Sequence, residues 1–306
     1  MSRVDLTPVA KPPTARPQGE LRRFIQRFAE DRVALVGFGL LVLIILVAVL
    51  APVIAPQNPY DLGKVDIMDS RQPPGVKAGD GFTMWLGSDG VGRDLVSGIL
   101  YGLRISLMVG VISGVLAATL GLFLGLTAAY MGGRVETLIM RIVDLQLSLP
   151  SVLVALILVA LLGKGVDKII LALVVVQWAY YARTVRGSAL VERRKEYVEA
   201  ARSLGLSHAR TVFKHILPNC LAPVIVIATV QTAHAISLEA TLSFLGVGLP
   251  QTEPSLGVLI ANGFQYMLSG KYWISFFPGL ALLLTIVAIN LVGDRLRDVL
   301  NPRLEK

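Results

Sequence analysis

Several side chains with the capacity for chemistry lie inside or beside long apolar runs of the sequence. Gln231, His234 and Glu239 fall within one such run, and Arg141 and Asp144 directly precede another. A polar group inside a membrane-spanning segment is costly, so it commonly marks a transport pathway or a contact between helices. We therefore regard Gln231, His234 and Glu239 as candidates for a translocation pathway or for its gating.

Helical spacing separates the expected roles of these groups. Gln231 and His234 are three residues apart and share a helix face, whereas Glu239 lies about 140° from His234 around the helix axis. The three side chains cannot all face one narrow pore, and we expect Glu239 to be bound by an arginine or by backbone donors. Arg141 and Asp144 are also three residues apart, which predicts a structural ion pair within one helix.

Sites for catalysis or metal binding are not evident. The sequence contains no GxxxxGK[ST] motif that would hold nucleotide phosphates, and its serines and 3 histidines form no recognisable nucleophile–base pair. Cys220 is the single cysteine, so an internal disulfide is excluded and a cysteine metal cluster is not indicated. We expect no catalytic residue, metal or cofactor in this chain, which disfavours a membrane-bound enzyme.

The composition indicates a membrane protein. Of its 306 residues, 54% are hydrophobic and 16% are charged, against about 25% charged residues in a soluble domain. Such hydrophobicity excludes a disordered chain. The net charge of +8 does not predict nucleic-acid binding, because basic residues that flank apolar segments are expected in a helical membrane protein.

Six apolar runs approach the length of about 20 residues that a helix needs to cross a bilayer. The fourth run has only 14 uncharged residues and must draw on its charged flanks. The sequence therefore predicts an all-α, polytopic membrane protein with six transmembrane helices. The predicted spans are 33–55, 105–130, 145–163, 169–182, 221–246 and 272–293.

The distribution of basic residues predicts the orientation in the membrane. One side of the six spans carries 21 Lys and Arg residues and the other carries 8, so the positive-inside rule places both termini in the cytoplasm. The predicted regions are a cytoplasmic tail (1–32, with 1–19 disordered), the first helix (33–55), an external loop (56–104), a five-helix core (105–293) and a cytoplasmic tail (294–306).

The cytoplasmic segment 191–218 lies between the fourth and fifth spans and predicts a helix–Gly–helix elbow. Good helix formers extend to Leu204, and Gly205 can adopt the positive φ that ends a helix. Ser207 can cap a second short helix. Ala200 and Ala201 form a small-residue patch that another surface could approach closely. By composition alone, the same segment could also be a basic loop that lies on anionic lipid headgroups.

The spacing within this elbow resembles the EAA signature of permease subunits of bacterial ABC importers. His215 stands where the general pattern prefers Ile, which argues for a particular subfamily. The resemblance implies a type I ABC importer permease fold and an elbow that acts as the coupling helix, docking on an ATPase subunit. The matching positions, and hence the implied docking residues, are Glu199, Ala200, Ala201, Gly205, Leu217 and Pro218.

Further segments are similar to the dipeptide, oligopeptide and nickel permeases. They are 85–94 with 101–106, 140–144 with 149–150, 215–219, 239–246 and 293–298 with 301–304, so that the resemblance covers about residues 20–304. A single N-terminal span followed by a fairly short external loop resembles the C-type permease of such systems.

The resemblance implies a subunit of an ATP-driven importer in the bacterial cytoplasmic (inner) membrane. Its implied partners are a homologous permease subunit, two cytoplasmic ATPase subunits that hold ATP and Mg, an extracytoplasmic substrate-binding protein and the lipid bilayer, but no nucleic acid. Short peptides are the leading substrate class, with nickel or another small solute as the alternative.

A secondary transporter is the alternative outside this class. It would need its own coupling-ion site and often two related halves. The sequence shows no internal repeat, and Asp144 and Glu239 do not form a convincing proton relay.

Overall fold

The computed structural model describes residues 20–61, 63 and 65–300. The predicted disordered segment 1–19 and positions 301–306 of the predicted C-terminal tail lie outside the described residues. In the described part, helices provide nearly all regular structure, beside one short hairpin of β1 (Val76–Lys77) and β2 (Thr83–Met84). The helices are α1 (Glu20–Ala29), α2 (Arg32–Ile54), α3 (Leu95–Met131), α4 (Gly133–Ser148), α5 (Ser151–Leu162), α6 (Val166–Glu192), α7 (Glu196–Ser203), α8 (His208–Arg210), α9 (Leu217–Phe244), α10 (Leu256–Phe264) and α11 (Trp273–Leu300).

Five helical segments among the described residues are long and apolar enough to cross a membrane. They are α2, α3, α6, the helical stretch Thr211–Phe244 that contains α9, and α11. The pair α4 and α5 passes the same test jointly and becomes a sixth span if it is counted as one. The predicted all-α, polytopic membrane fold is thereby confirmed.

The third predicted span, 145–163, is not one straight helix. α4 and α5 are bent by 93°, and Leu149 and Pro150 between them have extended backbone. Proline has no amide hydrogen to donate and disfavours helical backbone at the preceding residue, which explains the break. α5 has 12 residues, which at about 1.5 Å per residue is too short to cross the bilayer by itself.

The second, fourth, fifth and sixth spans are longer than the apolar runs that predicted them, whereas α2 has the 23 residues of the predicted first span. α3 already begins at Leu95, where the Asp94 carboxylate accepts the Ser97 amide at 2.8 Å, so that residues 95–104 belong to this helix and not to an external loop. α6 has 27 residues, so the fourth span is long enough to cross the membrane although its uncharged run has only 14 residues. Charged residues mark where apolar character stops, but they do not interrupt helical hydrogen bonding.

Glycines on α3 allow close packing against α6 and α9. A Cβ atom added at Gly121 would lie 2.5 Å from Tyr181 Cβ, and one added at Gly110 would lie 2.7 Å from Ile236 Cγ1. Small residues at such contacts let helix backbones approach, which is the usual basis of packing within a membrane. α3 therefore packs closely against both α6 and α9.

The segment between α2 and α3 is folded and attached to the core. Arg93 and Asp89 form a buried ion pair with 2.7 Å between Nε and Oδ2. Arg93 Nη1 also donates to the Gln251 carbonyl at 3.1 Å, in the connection between α9 and α10. This segment is thus an ordered part of the fold.

Candidate functional site

The elbow begins with a tight turn after α6. Helix α6 ends at Glu192, and the Lys195 amide donates to the Glu192 carbonyl at 3.1 Å. The first elbow helix, α7, therefore starts at Glu196 and not near Val191 as the sequence predicted. The turn separates the elbow from the membrane helix and lets α7 take its own direction.

The elbow tip follows the sequence prediction. Gly205 has a φ of +72° after the end of α7, a left-handed conformation that glycine adopts without a steric penalty. The Ser207 hydroxyl accepts the Arg210 amide at 3.4 Å and caps α8. A π-helical segment, Thr211–Ile216, then leads into α9.

The residues of the EAA-like motif differ in their exposure and in their position on the elbow. Glu199, Ala200 and Gly205 are exposed on the elbow. Ala201 is only 4% exposed, so the predicted small-residue patch is split, with Ala200 outward and Ala201 inward. The remaining pair, Leu217–Pro218, lies at the beginning of α9 and not at the tip.

The tip offers open space. A Cβ atom added at Gly205 would meet no atom of the described chain within 4 Å. Leu204 beside it is 80% exposed, whereas Val198 on the opposite face of α7 is fully buried in a cluster with Ile216 and Cys220. One face of the elbow is thus anchored to the membrane helices, and the other is available to a partner.

A hydrogen-bond network below the elbow was not anticipated from the sequence. The Tyr197 hydroxyl donates to Glu192 Oε2 at 2.5 Å, and Asn219 Nδ2 donates to the Tyr197 oxygen at 3.2 Å. Burial raises the pKa of Tyr197 to about 12, and the hydrogen bond to Glu192 acts in the same direction, so the hydroxyl stays protonated at neutral pH. No spacing rule connects residues 22 positions apart, so only their polarity beside the motif could have drawn attention to them.

Glu239 is fully buried where α9 meets α3. Its carboxylate accepts the Ser106 hydroxyl at 3.1 Å and the Ser243 hydroxyl at 2.8 Å. The expected arginine or backbone donors are thus replaced by serine hydroxyls, which are small enough to fit between closely packed helices. This geometry supports a role in holding the two helices together.

Gln231 and His234 contact two other helices. The Gln231 carbonyl accepts Gln177 Nε2 of α6 at 3.1 Å, and its side chain is 4% exposed. His234 is half-buried, with Nε2 lying 3.5 Å from the Ser151 hydroxyl of α5. The three polar residues of α9 therefore do not converge on one site, and His234 is the one that keeps partial exposure.

Asp144 pairs with a residue of another helix. Its partner is Arg183 of α6, not Arg141 of its own helix. A second pair joins the same helices, with Arg186 Nε donating to Glu136 Oε1 at 2.8 Å. The predicted local pair is thus corrected to a contact between helices, because α4 lies along α6 and brings the arginines within reach.

No group of three or more His, Cys, Asp or Glu side chains that could hold a metal ion occurs within the part of the chain that the structure describes. Some polar groups of the membrane region join neighbouring helices, among them Gln177 with the Gln231 carbonyl and Ser106 with Glu239. The elbow is exposed at its tip and attached to the membrane helices on its inner face.

Two known families match this chain. Residues 117–306, more than half of the chain, match the family described as "Binding-protein-dependent transport system inner membrane component". Residues 20–74 match the "N-terminal TM domain of oligopeptide transport permease C".

Curated relatives extend the similarity to the full length. The dipeptide transport system permease protein of Escherichia coli (strain K12) is 40% identical over 306 residues, covering all of both chains. A putative peptide transport system permease protein of Brucella abortus is 42% identical over 280 residues, covering 92% of this chain and 91% of that protein. The di/tripeptide transport system permease protein of Pseudomonas aeruginosa is 37% identical over 285 residues and covers 93% of each.

Among solved structures, the inward-facing MetNI methionine ABC transporter has a similar chain. The TM-score is 0.55 at 20% identity, covering 67% of this chain and 96% of that chain. This similarity shows a shared ABC importer permease fold. With the family matches and the full-length relatives, it leads to one conclusion: the chain belongs to the binding-protein-dependent transport system inner membrane components, in their dipeptide and oligopeptide permease branch.

Proposed function

We propose that this chain is one of two permease subunits of an ATP-driven importer of short peptides, forming half of the translocation pathway. The observation that carries the proposal is the 40% identity to a dipeptide permease over the full length of both chains. Other relatives, which include a putative peptide permease and a di/tripeptide permease, support the same substrate class.

The elbow would couple this pathway to ATP. Glu199, Ala200 and Gly205 are exposed near the tip and would contact an ATPase subunit, while Ala201 would support them from the inner face. Leu217 and Pro218 would set the junction between the elbow and α9. Closure of the ATPases would move the elbow and, with it, α6 and α9.

The elbow would then lie on the cytoplasmic side, together with both termini. The positive-inside count of 21 against 8 supports this orientation. The family description supports the inner membrane as the location. Within the membrane, His234 is our candidate for contact with the pathway because its side chain is half-buried, whereas Gln231 and Glu239 are buried between helices.

The implied assembly contains a homologous permease subunit, two ATPase subunits that bind ATP and Mg, and an extracytoplasmic binding protein. Affinity purification of the chain from its native membrane in mild detergent, followed by mass spectrometry, tests this composition. Recovery of a second permease and an ATPase would support it. Recovery of the chain alone, in several mild detergents, would indicate a self-sufficient carrier.

A pair of substitutions at Gly205 tests the coupling role. Gly205→Ala and Gly205→Trp impose the same strain of a positive φ, about 1–2 kcal/mol, but only Trp fills the open space at the tip. We expect Gly205→Trp to abolish ATP-driven uptake of a labelled dipeptide in proteoliposomes while the chain still inserts in the membrane. Gly205→Ala should retain most uptake.

Equal uptake by the Trp variant and the wild type would refute docking at this tip. Equal loss in both variants would assign the effect to backbone strain and would also count against the docking role. In the same preparation, inhibition of labelled dipeptide uptake by nickel would support the alternative substrate. Loss of uptake when the proton gradient is dissipated, with ATP still present, would support the alternative energy source.

A further inference from the structure

One side chain connects the elbow to both of the helices that it would move. Tyr197 lies in α7, and its hydroxyl donates to Glu192, the last residue of α6, at 2.5 Å. The same oxygen accepts the side-chain amide of Asn219, in the first turn of α9, at 3.2 Å. Removal of this hydroxyl would break both links.

Both partners of the hydroxyl are themselves held in place. The second oxygen of Glu192 binds Lys195 Nζ at 2.6 Å, and the Glu192 residue is only 8% exposed. Asn219 Nδ2 also donates to the His215 carbonyl at 2.8 Å, within the π-helical segment. Because the acceptor at Glu192 is charged, its hydrogen bond belongs to the stronger class.

Apart from the Tyr197 hydroxyl, which also lies 3.4 Å from the His215 carbonyl oxygen, α7 is attached by apolar contacts on its inner face. Val198 and Ala201 are buried on its inner face, and such contacts are non-directional. They hold α7 against the membrane helices without fixing its orientation. The hydrogen bonds of Tyr197 are directional, so they can fix the orientation of α7.

The backbone route from the elbow tip to α9 passes through the π-helical segment Thr211–Ile216. π-helical turns are rare and occur frequently at functional sites. A movement of the tip that travelled through this segment alone could be absorbed by a local change in its hydrogen bonding. The Tyr197–Asn219 link joins α7 directly to the first turn of α9, and the same hydroxyl lies 3.4 Å from the His215 carbonyl oxygen of the π-helical segment, so it adds a side-chain connection to the backbone route.

We propose that Tyr197 is a positioning residue for energy coupling, which keeps α7 in a fixed orientation to α6 and α9 through Glu192 and Asn219. This inference rests on the proposed docking role of the elbow. It adds a function for a residue outside the EAA-like positions.

The test is the amount of dipeptide imported per ATP hydrolysed, measured on the full complex in proteoliposomes with Tyr197→Phe. We expect the complex to assemble and to hydrolyse ATP, while the ratio falls at least about tenfold, because losing the hydrogen bond to the charged Glu192 alone changes an equilibrium by about that factor. The matched control is Tyr272→Phe, which removes an exposed hydroxyl for which no hydrogen bond is found among the described residues. Its ratio should equal that of the wild type.

Conservative variants separate positioning from stability. Glu192→Gln retains an oxygen acceptor for the Tyr197 hydroxyl and should keep most of the ratio, whereas Asn219→Leu removes the donor and should lower it. If Tyr197→Phe reduces assembly, the test is instead the amount of dipeptide imported per ATP hydrolysed by Asn219→Leu. A wild-type ratio in that variant overturns the proposal.

A wild-type ratio in Tyr197→Phe also overturns it. Gly205→Trp, measured in parallel, identifies which proposal has failed. Normal uptake in Gly205→Trp removes the docking role itself. Loss of uptake in Gly205→Trp together with a normal ratio in Tyr197→Phe leaves docking intact and removes only the positioning role.

Discussion

Glu239 is a carboxyl group fully buried among apolar helices, with serine hydroxyls as its donors. A buried polar group is tolerated when it is hydrogen-bonded, and its partners then depend on it in turn. Ser106 comes from α3 and Ser243 lies one turn along α9, so the carboxyl group joins the two helices. At the residue scale, Glu239 is best understood as a structural link.

This interpretation predicts different outcomes for two substitutions of Glu239. Glu239→Gln retains an acceptor of the same shape, so we expect its midpoint of thermal unfolding in detergent to stay close to that of the wild type. Glu239→Leu leaves both serine hydroxyls without this acceptor and should lower the free energy of unfolding by about 1–2 kcal/mol.

Ser106→Ala is the companion variant, since it removes only the donor from α3. Its loss of stability should be smaller than that of Glu239→Leu. A Leu variant as stable as the wild type would show that Glu239 does not hold α3 and α9 together.

At the scale of elements, the contact between α3 and α6 depends on the absence of a side chain. An added Cβ at Gly121 would lie 2.5 Å from Tyr181 Cβ and 2.6 Å from the Trp178 carbonyl oxygen. The carbonyl belongs to the α6 backbone and cannot rotate away. Any larger residue must therefore move one helix from the other.

We expect Gly121→Ala to destabilise the chain by about 1–3 kcal/mol, the usual cost of overpacking a close contact. Gly39→Ala is the matched control, because an added Cβ there meets no atom within 4 Å. That variant should be neutral, or more stable by up to about 1 kcal/mol, since Ala is the better helix former. Thermal unfolding of both variants in the same detergent compares them, and equal midpoints would contradict the role of Gly121 as a packing contact.

Two ion pairs hold the first helix of the bent pair, α4, to α6. The Asp144–Arg183 and Glu136–Arg186 pairs both connect α4 with α6. The first pair is more than half exposed on both sides, and exposed pairs contribute only about 0–1 kcal/mol. These pairs therefore serve to align α4 before the break at Pro150, and the apolar contacts of Val143 with Ala179 and Ala182 provide the main attachment.

At the scale of the whole molecule, the segment between α2 and α3 depends on one buried ion pair. Arg93 is 2% exposed and Asp89 is 1% exposed. Asp89 Oδ1 also accepts the Val91 and Arg93 amides at 2.9 Å, while Arg93 reaches the Gln251 carbonyl on the core. The pair thus organises the segment around it and attaches it to the connection between α9 and α10.

Arg93→Met should release this attachment. Removal of one partner of a buried pair leaves an uncompensated charge, at a cost of about 3–5 kcal/mol. We expect faster proteolytic cleavage within residues 56–94 of the detergent-solubilised protein. Lys77→Met, which changes an exposed cation of the same segment, should leave the cleavage rate unchanged, and similar rates in both variants would show that the segment is attached by other contacts.

Much of the architecture could be predicted from the sequence. Backbone groups in a bilayer must satisfy their hydrogen bonds internally, so a long apolar run is sufficient to indicate a spanning helix. The positive φ of Gly205 and the cap at Ser207 are likewise local properties of short peptide stretches. The family was recognisable for the same reason, since its motif occupies fixed spacings along a single loop.

The tertiary structure alone decided which distant groups meet. Asp144 binds a residue 39 positions away, and Glu239 binds one 133 positions away. The direction of Ala201 and the network of Tyr197 were also decided by packing. Such pairings depend on how whole helices pack against one another, which sums many small contacts between residues far apart in the chain and leaves no periodicity or spacing to read.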